Sequence, residues 1–406
     1  MTTPSDAPAA LGDGEPQPSA PGSRASLITV GFAMVTAATF FYFIALGALL
    51  PTLPVYVEDE LGGGSVAVGI AVGGFAVSAA LLRPFAGRIG DTRGRRVLVI
   101  GGSLIMGLSV LSYTLIDSVP ALIALRLVTG AGEAAMWVGA ATAIQDMAPD
   151  DRRGEAASYF SVALYAGLAF GPLVGESLKD ASGFHAVWIF GGICGLIACV
   201  LGFGTPKDVR REPQPFRLLH PAAIGPGAVL FLGMLPFIGF ATFIALYGPE
   251  VGIEDVAPLL LLYGILVLAI RVVGAKLPDQ LGWTRATTAA LTVLGGGGLL
   301  LGLWHGSAGV WLAVVALAVG MSLLFPALFS ATVAAVPESE RGQAVGTFSL
   351  SFDAASGLGP AVLGIVVALA NYQVAFVVAG ACALAGLMLV APVARRAARA
   401  EAAAAH

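Results

Sequence analysis

The chain has 406 residues, of which 57% are hydrophobic and only 11% are charged. A soluble domain is roughly a quarter charged, so this composition excludes an ordinary soluble protein and indicates an integral membrane protein. The formal net charge of −4 says little about binding partners, because the charges are distributed unevenly along the chain. The three cysteines lie inside apolar runs and are interpreted as packing residues rather than metal ligands or disulfide partners.

The first 26 residues are rich in proline, glycine, alanine and serine. They lack the basic stretch and short apolar core of a signal peptide, which favours a disordered cytoplasmic tail. Twelve apolar runs follow, each close to the ~20 residues that a helix needs to cross a bilayer. Lipid offers no partner for backbone groups, so each run is predicted to be helical. The predicted spans are 27–50, 66–86, 97–116, 120–143, 155–178, 185–203, 223–247, 257–276, 286–304, 308–333, 343–369 and 373–393.

Residues 204–221 interrupt this pattern with several prolines and charges. They are predicted to form a cytoplasmic linker between an N-terminal bundle, 27–203, and a C-terminal bundle, 222–394, with residues 395–406 as a second cytoplasmic tail. The predicted fold class is therefore an all-α membrane protein with twelve transmembrane helices in two six-helix bundles.

Lysine and arginine are concentrated in alternate connections, whereas the opposite connections together hold only Lys179. The positive-inside rule therefore places both termini in the cytoplasm and makes the chain a multi-pass protein of the plasma (inner) membrane. The basic residues of the predicted cytoplasmic side are Arg88, Arg93, Arg95, Arg96, Arg152, Arg153, Lys207, Arg210, Arg211, Arg217, Lys276, Arg285, Arg341, Arg395, Arg396 and Arg399.

The two halves repeat each other when the sequence is shifted by one constant offset, the one that carries Arg83 onto Arg271. The same shift superposes other residues with special backbone or charge character: Asp91 on Asp279, Gly94 on Gly282, Pro149 on Pro337, and Gly171-Pro172 on Gly359-Pro360. One ungapped offset with this many matches is not explained by chance similarity between glycine- and alanine-rich sequences. A parallel repeat of this kind is expected of a transporter whose substrate site lies between the repeats.

A cationic, glycine-punctuated segment connects the second and third spans, and we predict it to be a loop. Its residues are Gly87, Asp91, Arg93, Gly94, Arg95 and Arg96. The glycines permit a tight turn, and Asp91 can cap the next helix or accept hydrogen bonds from an arginine of a neighbouring span.

Twelve spans in two repeated halves, with this segment after the second span, resemble the major facilitator superfamily over nearly the whole chain. The family pattern is Gly, three residues, Asp, a basic residue, any residue, Gly and two basic residues. Here Thr92 stands where a basic residue is usual. The resemblance implies alternating access, with this segment as a latch that holds the cytoplasmic side shut in one conformation. The alternative is an ordinary positive-inside anchor.

The fourth span holds two charges, Arg126 and Glu133, which resemble the arginine-centred pattern of the same family helix. Glu133 lies two turns deeper than Arg126 on the same helical face, too far for a direct pair. A charge at this depth costs several kcal/mol unless it faces a cavity or a partner. Both residues are therefore candidates for a proton or substrate-charge site, and the alternative is a structural brace between helices.

The fifth span carries Gly167, Gly171, Pro172 and Gly175, a pattern that resembles the one marking drug:proton antiporters within the superfamily. Glycines at every fourth position form a smooth face for close helix approach, and proline bends the helix. Packing alone is the alternative interpretation. The end of the first span, with Pro51 and Pro54, resembles the same exporters.

Asp353 lies near the middle of the eleventh span, where Ser349 and Ser356 extend a polar stripe at helical spacing. A carboxylate at this depth is predicted to exchange a proton at physiological pH. The alternatives are a structural hydrogen bond and a counter-ion for a cationic substrate.

The substrate cavity is predicted to be lined by adaptable aromatic side chains, which suit hydrophobic or amphipathic molecules. For any single aromatic residue, ordinary helix packing is the alternative. The candidates are Tyr42, Phe43, Trp137, Tyr159, Tyr165, Phe237, Phe240 and Phe352, together with Ser349.

The sequence shows no phosphate-binding loop, metal-ligand spacing or nucleophile arrangement. We therefore predict no enzyme activity, no cofactor, no bound metal and no nucleic-acid partner. The expected partners are the lipid bilayer, protons and a small-molecule substrate, and the expected state is a monomer.

Together these features predict a proton-coupled exporter of small organic molecules, with Glu133, Asp353 and Arg126 as proton-coupling candidates. A sugar, amino-acid or metallophore transporter on the same fold, working as an exporter or a proton symporter, is the alternative. A membrane receptor or scaffold without transport is an alternative from another class.

Overall fold

The computed structural model describes residues 27–149, 152–207, 219–273, 280–336 and 340–404. Over these residues the chain forms twelve long helices and no strand. The helices are α1 Val30–Val55, α2 Ser65–Arg93, α3 Arg95–Leu111, α4 Val119–Met147, α5 Arg153–Ser182, α6 Phe184–Leu201, α7 Pro221–Tyr247, α8 Ala257–Val273, α9 Trp283–Leu303, α10 Ser307–Ala334, α11 Arg341–Leu369 and α12 Tyr372–Ala404. Eleven are long and apolar enough to cross a membrane, and α8 is a shorter apolar helix over its described part. The predicted all-α membrane fold is confirmed.

Each half has its own set of contacts between helices. In the first half α1 packs on α5 and α6, and α4 packs on α2 and α3. In the second half α7 packs on α11 and α12, and α10 packs on α8 and α9. The halves meet between α1 and α7 and along two seams, which we name the first seam, between α2 and α11, and the second seam, between α5 and α8.

The repeat seen in the sequence is also a repeat of helices. Helices α9, α10, α11 and α12 begin at the positions onto which the sequence offset carries the starts of α3, α4, α5 and α6, respectively. The turns before α3 and α9 use equivalent glycines, Gly94 with φ 93° and Gly282 with φ 75°. An L side chain rarely adopts these angles, which explains why both halves have glycine at this position.

The connection between α2 and α3 differs from the predicted loop. Helix α2 continues to Arg93 and α3 begins at Arg95, so Gly94 alone makes the turn. Gly87 and Asp91 are helical, and the prediction of a loop over residues 87–96 is wrong. The helix can continue because one left-handed glycine is enough to reverse the chain here. At the other end of the chain, α12 extends to Ala404 through most of the segment predicted as a tail.

The two ends of the bundle differ in charge. We call the end that holds the turn at Gly94 the arginine-rich face and the end that holds the α1–α2 turn at residues 61–64 the acidic face. Near the acidic face the Tyr372 hydroxyl donates a hydrogen bond to Glu58 Oε2 at 3.5 Å, and Ser65 Oγ donates to the Gly364 carbonyl at 3.1 Å. These two contacts join the halves at that face.

The first seam is closest at a crossing of glycines. A Cβ atom built on Gly73 would lie 2.1 Å from the Gly357 carbonyl oxygen, and one on Gly69 would lie 2.2 Å from the Pro360 carbonyl oxygen. No side chain fits there, so α2 and α11 meet backbone to backbone in the half of the bundle towards the acidic face.

Candidate functional site: a charged cluster between the two halves

Arg83 is the centre of the candidate site. Its Nη1 donates to Asp353 Oδ2 at 2.6 Å, and its Nη2 donates to Glu133 Oε1 at 3.0 Å. The three side chains come from α2, α11 and α4, so the cluster joins the two halves across the first seam. Charge-assisted hydrogen bonds of this kind are among the stronger polar contacts in proteins.

The cluster lies deep in the bundle. Asp353 is twelve residues into the 29-residue α11, and Glu133 is fourteen residues into the 29-residue α4. At 1.5 Å per residue, both lie about 20 Å from the ends of their helices. The exposed fractions of the side chains are 19% for Arg83, 8% for Glu133 and 6% for Asp353. Because little solvent reaches these charges, Arg83 is stabilised mainly by the two carboxylates, and each carboxylate is stabilised mainly by Arg83.

An aromatic cluster lies beside the guanidinium of Arg83. The Cζ atom of Arg83 is 5.3 Å from the centre of the Trp137 ring, within the range of a cation–π contact. The Trp137 ring in turn packs edge-on against Phe43 at 6.0 Å and Phe160 at 5.7 Å. Two of the predicted cavity residues, Phe43 and Trp137, are therefore grouped next to the charged cluster.

The second seam holds the repeat equivalent of this contact. Arg271, the repeat equivalent of Arg83, lies with its Cζ atom 4.5 Å from the centre of the Tyr165 ring. The same offset makes Tyr165 the repeat equivalent of Asp353. Each arginine therefore crosses its seam to the same repeat position, where one meets a carboxylate and the other meets a phenol ring.

The other predicted aromatic residues of the second half form two groups. Phe237 stacks on Tyr263 at 4.6 Å, and Phe240 is 6.4 Å from the same ring. Phe352 is 5.9 Å from Phe325, the repeat equivalent of Trp137. Aromatic surface is thus present at equivalent places in both halves.

The remaining cavity candidates lie at other positions. Tyr42 is fully buried and packs edge-on against Phe43 at 5.5 Å, and its hydroxyl has no hydrogen-bond partner among the described residues. Tyr159 is 39% exposed and packs edge-on against Phe32 at 6.0 Å. Ser349 lies one helical turn from Asp353 on α11 and is partly exposed.

Arg126 has the geometry of a brace. Its Nε donates to the Ala71 carbonyl at 2.8 Å and its Nη2 donates to the Val72 carbonyl at 3.2 Å, both on α2. The guanidinium also covers the Phe75 ring at 4.4 Å. Arg126 thus fastens α4 to α2, and the structure places it apart from the ion pairs of Glu133.

The residues of the predicted latch make their described ionic contacts within the first half. Arg95 Nη1 is 2.8 Å from Asp91 Oδ1, and Arg95 Nε is 3.5 Å from Asp146 Oδ2 at the end of α4. Arg96 covers the Phe203 ring at 5.1 Å, and Arg93 is exposed. The repeat partner of Asp91, Asp279, lies outside the described residues.

The glycines of the fifth span pack α5 against α1. A Cβ atom on Gly171 would lie 2.6 Å from the Gly47 Cα atom, and Cβ atoms on Gly167 and Gly175 would lie 2.7 Å and 2.4 Å from backbone atoms of α1. The helices touch backbone to backbone along this stripe, next to the bend-permitting Pro172. This is the packing role that the glycine spacing predicts.

Three charged residues of the spans escaped the sequence prediction. Arg83 and Arg271 entered it only through the repeat, although a lone arginine in an apolar run already requires a partner. Glu176 is 6% exposed on α5 and pairs with Lys179 on the next turn. The spacing of three residues between a carboxylate and a lysine was a local signal for that pair.

Two repeated six-helix halves with an ionic cluster at their seam define a membrane transport protein of the two-bundle class. A family model described as Major Facilitator Superfamily matches residues 35–332 and 289–406, and the chain belongs to that superfamily. A protein of Salmonella typhimurium described as an uncharacterized MFS-type transporter is 32% identical over 368 residues, covering 88% of this chain and 94% of its own length. An uncharacterized MFS-type transporter of Pseudomonas aeruginosa is 32% identical over 405 residues, covering 95% and 99%.

Solved structures agree on the fold. A peptide transporter POT in complex with sulfate superposes with a TM-score of 0.78 at 16% identity, over 91% of this chain and 95% of its own. The human organic anion transporter MFSD10 superposes with a TM-score of 0.68 at 20% identity, over 89% and 99%. The chain is thus a multi-pass membrane transporter rather than an enzyme.

Proposed function

We propose that this protein couples proton movement to the efflux of small hydrophobic or amphipathic organic molecules, by alternating access of its two halves. The observation that carries the proposal is the cluster of Arg83, Glu133 and Asp353, in which two carboxylates share one guanidinium. The cluster lies at the middle of the spans and across the seam that must open and close during transport.

The charge of this cluster makes it suitable for a proton. With both carboxylates ionised, Arg83, Glu133 and Asp353 carry a formal charge of −1. An uncompensated charge inside a membrane protein costs several kcal/mol. One proton on either carboxylate brings the cluster to formal neutrality, so proton binding and release change its free energy strongly.

The two ion pairs have different consequences for conformation. Arg83 and Glu133 both belong to the first half, whereas Asp353 belongs to the second half. A proton on Asp353 would weaken the contact that crosses the seam, and Glu133 would keep Arg83 in place. We therefore assign the coupling of protonation to opening to Asp353, and the retention of Arg83 to Glu133.

The orientation of the protein is inferred from its charges, and export is inferred from the glycine pattern of α5. The arginine-rich face is assigned to the cytoplasm by the positive-inside rule, so the described conformation is closed towards the outside by Glu58, Tyr372 and the glycine crossing. The glycine pattern at Gly167 and Gly171 resembles that of exporters. The aromatic side chains beside Arg83 supply surface for a hydrophobic substrate.

Inside-out membrane vesicles test the proposal. Vesicles that carry the protein and an acidic interior should accumulate a lipophilic fluorescent dye, and a protonophore should abolish the accumulation. Glu133→Gln and Asp353→Asn should each reduce it, whereas Arg285→Gln, a change at an exposed arginine outside the latch segment, should not. Accumulation that is insensitive to the protonophore would contradict the proton coupling.

A further inference from the structure

In the part of the chain that the structure describes, Arg271 lacks the carboxylate partners that Arg83 has. Among the described residues no carboxylate lies within ion-pair distance of Arg271, and its buried Nε atom has no hydrogen-bond partner. Its described contact is the face of the Tyr165 ring at 4.5 Å. A cation–π contact is worth about 0.5–2 kcal/mol, less than the several kcal/mol that a charge at membrane depth costs.

The repeat shows which positions of the second half correspond to the two carboxylates that hold Arg83. The first seam supplies Arg83 with Asp353 and Glu133, whose equivalents in the second seam are Tyr165 and Met321. Neither a phenol ring nor a thioether balances a positive charge. The second seam thus presents a guanidinium at the place where its counterpart binds a carboxylate.

Arg271 lies on the side of α8 that faces the other half. Gly264, two turns earlier on α8, is so close to α5 that a Cβ atom on it would lie 2.6 Å from the Ala169 Cβ atom. Arg271 and Tyr165 are each one or two turns from this contact, towards the arginine-rich face. The guanidinium therefore lies between the halves, next to the close approach of Gly264 to Ala169.

We propose that Arg271 and Tyr165 form the binding site for an anionic group of the transported molecule, a carboxylate or a phosphoryl group attached to an apolar body. The anion would take the place that Asp353 occupies beside Arg83, and an arginine fork suits such planar or tetrahedral oxyanions. The apolar body would contact the neighbouring rings of Tyr165, Tyr263 and Phe237. This inference rests on the proposed transport activity but not on its direction.

The depth of the site favours a substrate over a lipid headgroup. Tyr165 is twelve residues into α5, about 18 Å from the start of that helix. A headgroup lies at the membrane surface, whereas a transported molecule must pass this depth.

Three probes that differ mainly in charge test the site on the purified full-length protein in detergent: 1-naphthoate, 1-naphthylmethanol and 1-naphthylmethylammonium. A ligand that binds only the folded state raises the melting temperature. We expect naphthoate to raise the melting temperature most, Arg271→Gln to abolish its effect, and Arg271→Lys to retain part of it. Arg285→Gln is the control at an exposed arginine outside the latch segment and should respond like the unchanged protein.

A second measurement needs no ligand. Tyr165→Asp would place a carboxylate beside Arg271, as Asp353 is placed beside Arg83, whereas Tyr165→Asn removes the ring without adding charge. We expect the Asp variant to melt higher than the Asn variant and to have lost the response to naphthoate.

The inference is overturned if naphthoate has no larger effect than the other two probes, if its effect survives Arg271→Gln, or if Tyr165→Asp melts no higher than Tyr165→Asn. Its failure is separate from a failure of the proposed proton coupling. Dye accumulation in vesicles can remain sensitive to protonophore when the anion site is absent, and naphthoate can bind through Arg271 when protons play no part.

Discussion

The first and second seams occupy equivalent places in the repeat, yet they hold different chemistry. Arg83 in the first seam is held by Asp353 and Glu133, whereas Arg271 in the second seam covers the ring of Tyr165. Among the described residues, the same duplicated position is therefore a closed ionic cluster on one side and a cation without a carboxylate partner on the other. The comparison teaches that the two seams differ in charge, and we propose that the first seam serves protons and the second serves the charge of the substrate.

The helix crossings inside the two halves also differ from each other. Gly171 in α5 approaches the Gly47 backbone of α1, whereas its equivalent in α11, Gly359, faces the side chains of Ile238 and Leu235 on α7. The first crossing leaves no room for a side chain, whereas the second is already filled by side chains of α7. The backbones of the two helices thus approach each other more closely in the first half.

Removal of Arg83 should have the largest effect on stability. Arg83→Gln leaves Glu133 and Asp353 close together without their shared cation, and breaking such a buried pair costs about 3–5 kcal/mol. Arg271→Gln loses a cation–π contact of about 0.5–2 kcal/mol but also removes a charge that is costly at this depth, so it should be nearly neutral or stabilising. Thermal unfolding of the purified variants measures the difference. Equal losses in the two variants would contradict the distinction between the seams.

A combined variant sharpens that test. Arg83→Gln together with Glu133→Gln and Asp353→Asn removes all three charges, so it should recover much of the stability lost in Arg83→Gln alone. Transport driven by a pH gradient should remain absent. If stability is not recovered, the loss comes from packing around Arg83 rather than from unbalanced carboxylates.

The glycine crossings should give the next largest effect. Gly171→Ala forces a methyl group into the backbone of α1, and overpacking of this kind costs about 1–3 kcal/mol. Gly359→Ala meets side chains at 3.0 Å and 3.2 Å, which can rotate away, so its cost should be smaller. Both changes gain the same helix propensity, which makes them a matched pair. Their melting temperatures decide the order, and a larger loss for Gly359→Ala would contradict it.

The smallest effect on stability should come from the arginine-rich face. Asp91→Asn removes one partner of Arg95, but Asp146 remains, and Asp91 is 27% exposed. Pairs this accessible contribute about 0–1 kcal/mol. We expect normal membrane insertion with reduced transport, measured as dye accumulation per inserted protein. Undiminished transport would support the positive-inside anchor instead of the latch.

Much of this architecture follows from one-dimensional features of the sequence. Twelve apolar runs and one constant offset between matching residues predict the two halves, because membrane helices must be apolar and a repeat preserves its spacing. The buried carboxylates Glu133 and Asp353 could be found in the same way, since a charge in an apolar run is exceptional.

The partners of these carboxylates could not be found from the sequence. Arg83 is 50 residues from Glu133 and 270 residues from Asp353 in the chain. Which helices meet, and which face of α2 turns towards them, depends on packing between distant spans. The same limit explains why Arg126, in an apolar run like Glu133, was not distinguished as a brace to the α2 backbone.

The prediction of a loop between α2 and α3 is wrong for a local reason. The glycines and charged residues between 87 and 96 are typical of a loop, but such residues can also continue a helix that ends at the membrane surface. Only Gly94 has the backbone angles of a turn.

Transport by Asp353→Asn in proteoliposomes tests the central claim most directly, because it separates movement of the halves from proton coupling. The account predicts that this variant still exchanges labelled substrate for unlabelled substrate without a gradient, but no longer accumulates substrate against its gradient when a pH difference is imposed. Accumulation at the level of the unchanged protein would contradict the claim that protonation of Asp353 is coupled to opening of the first seam.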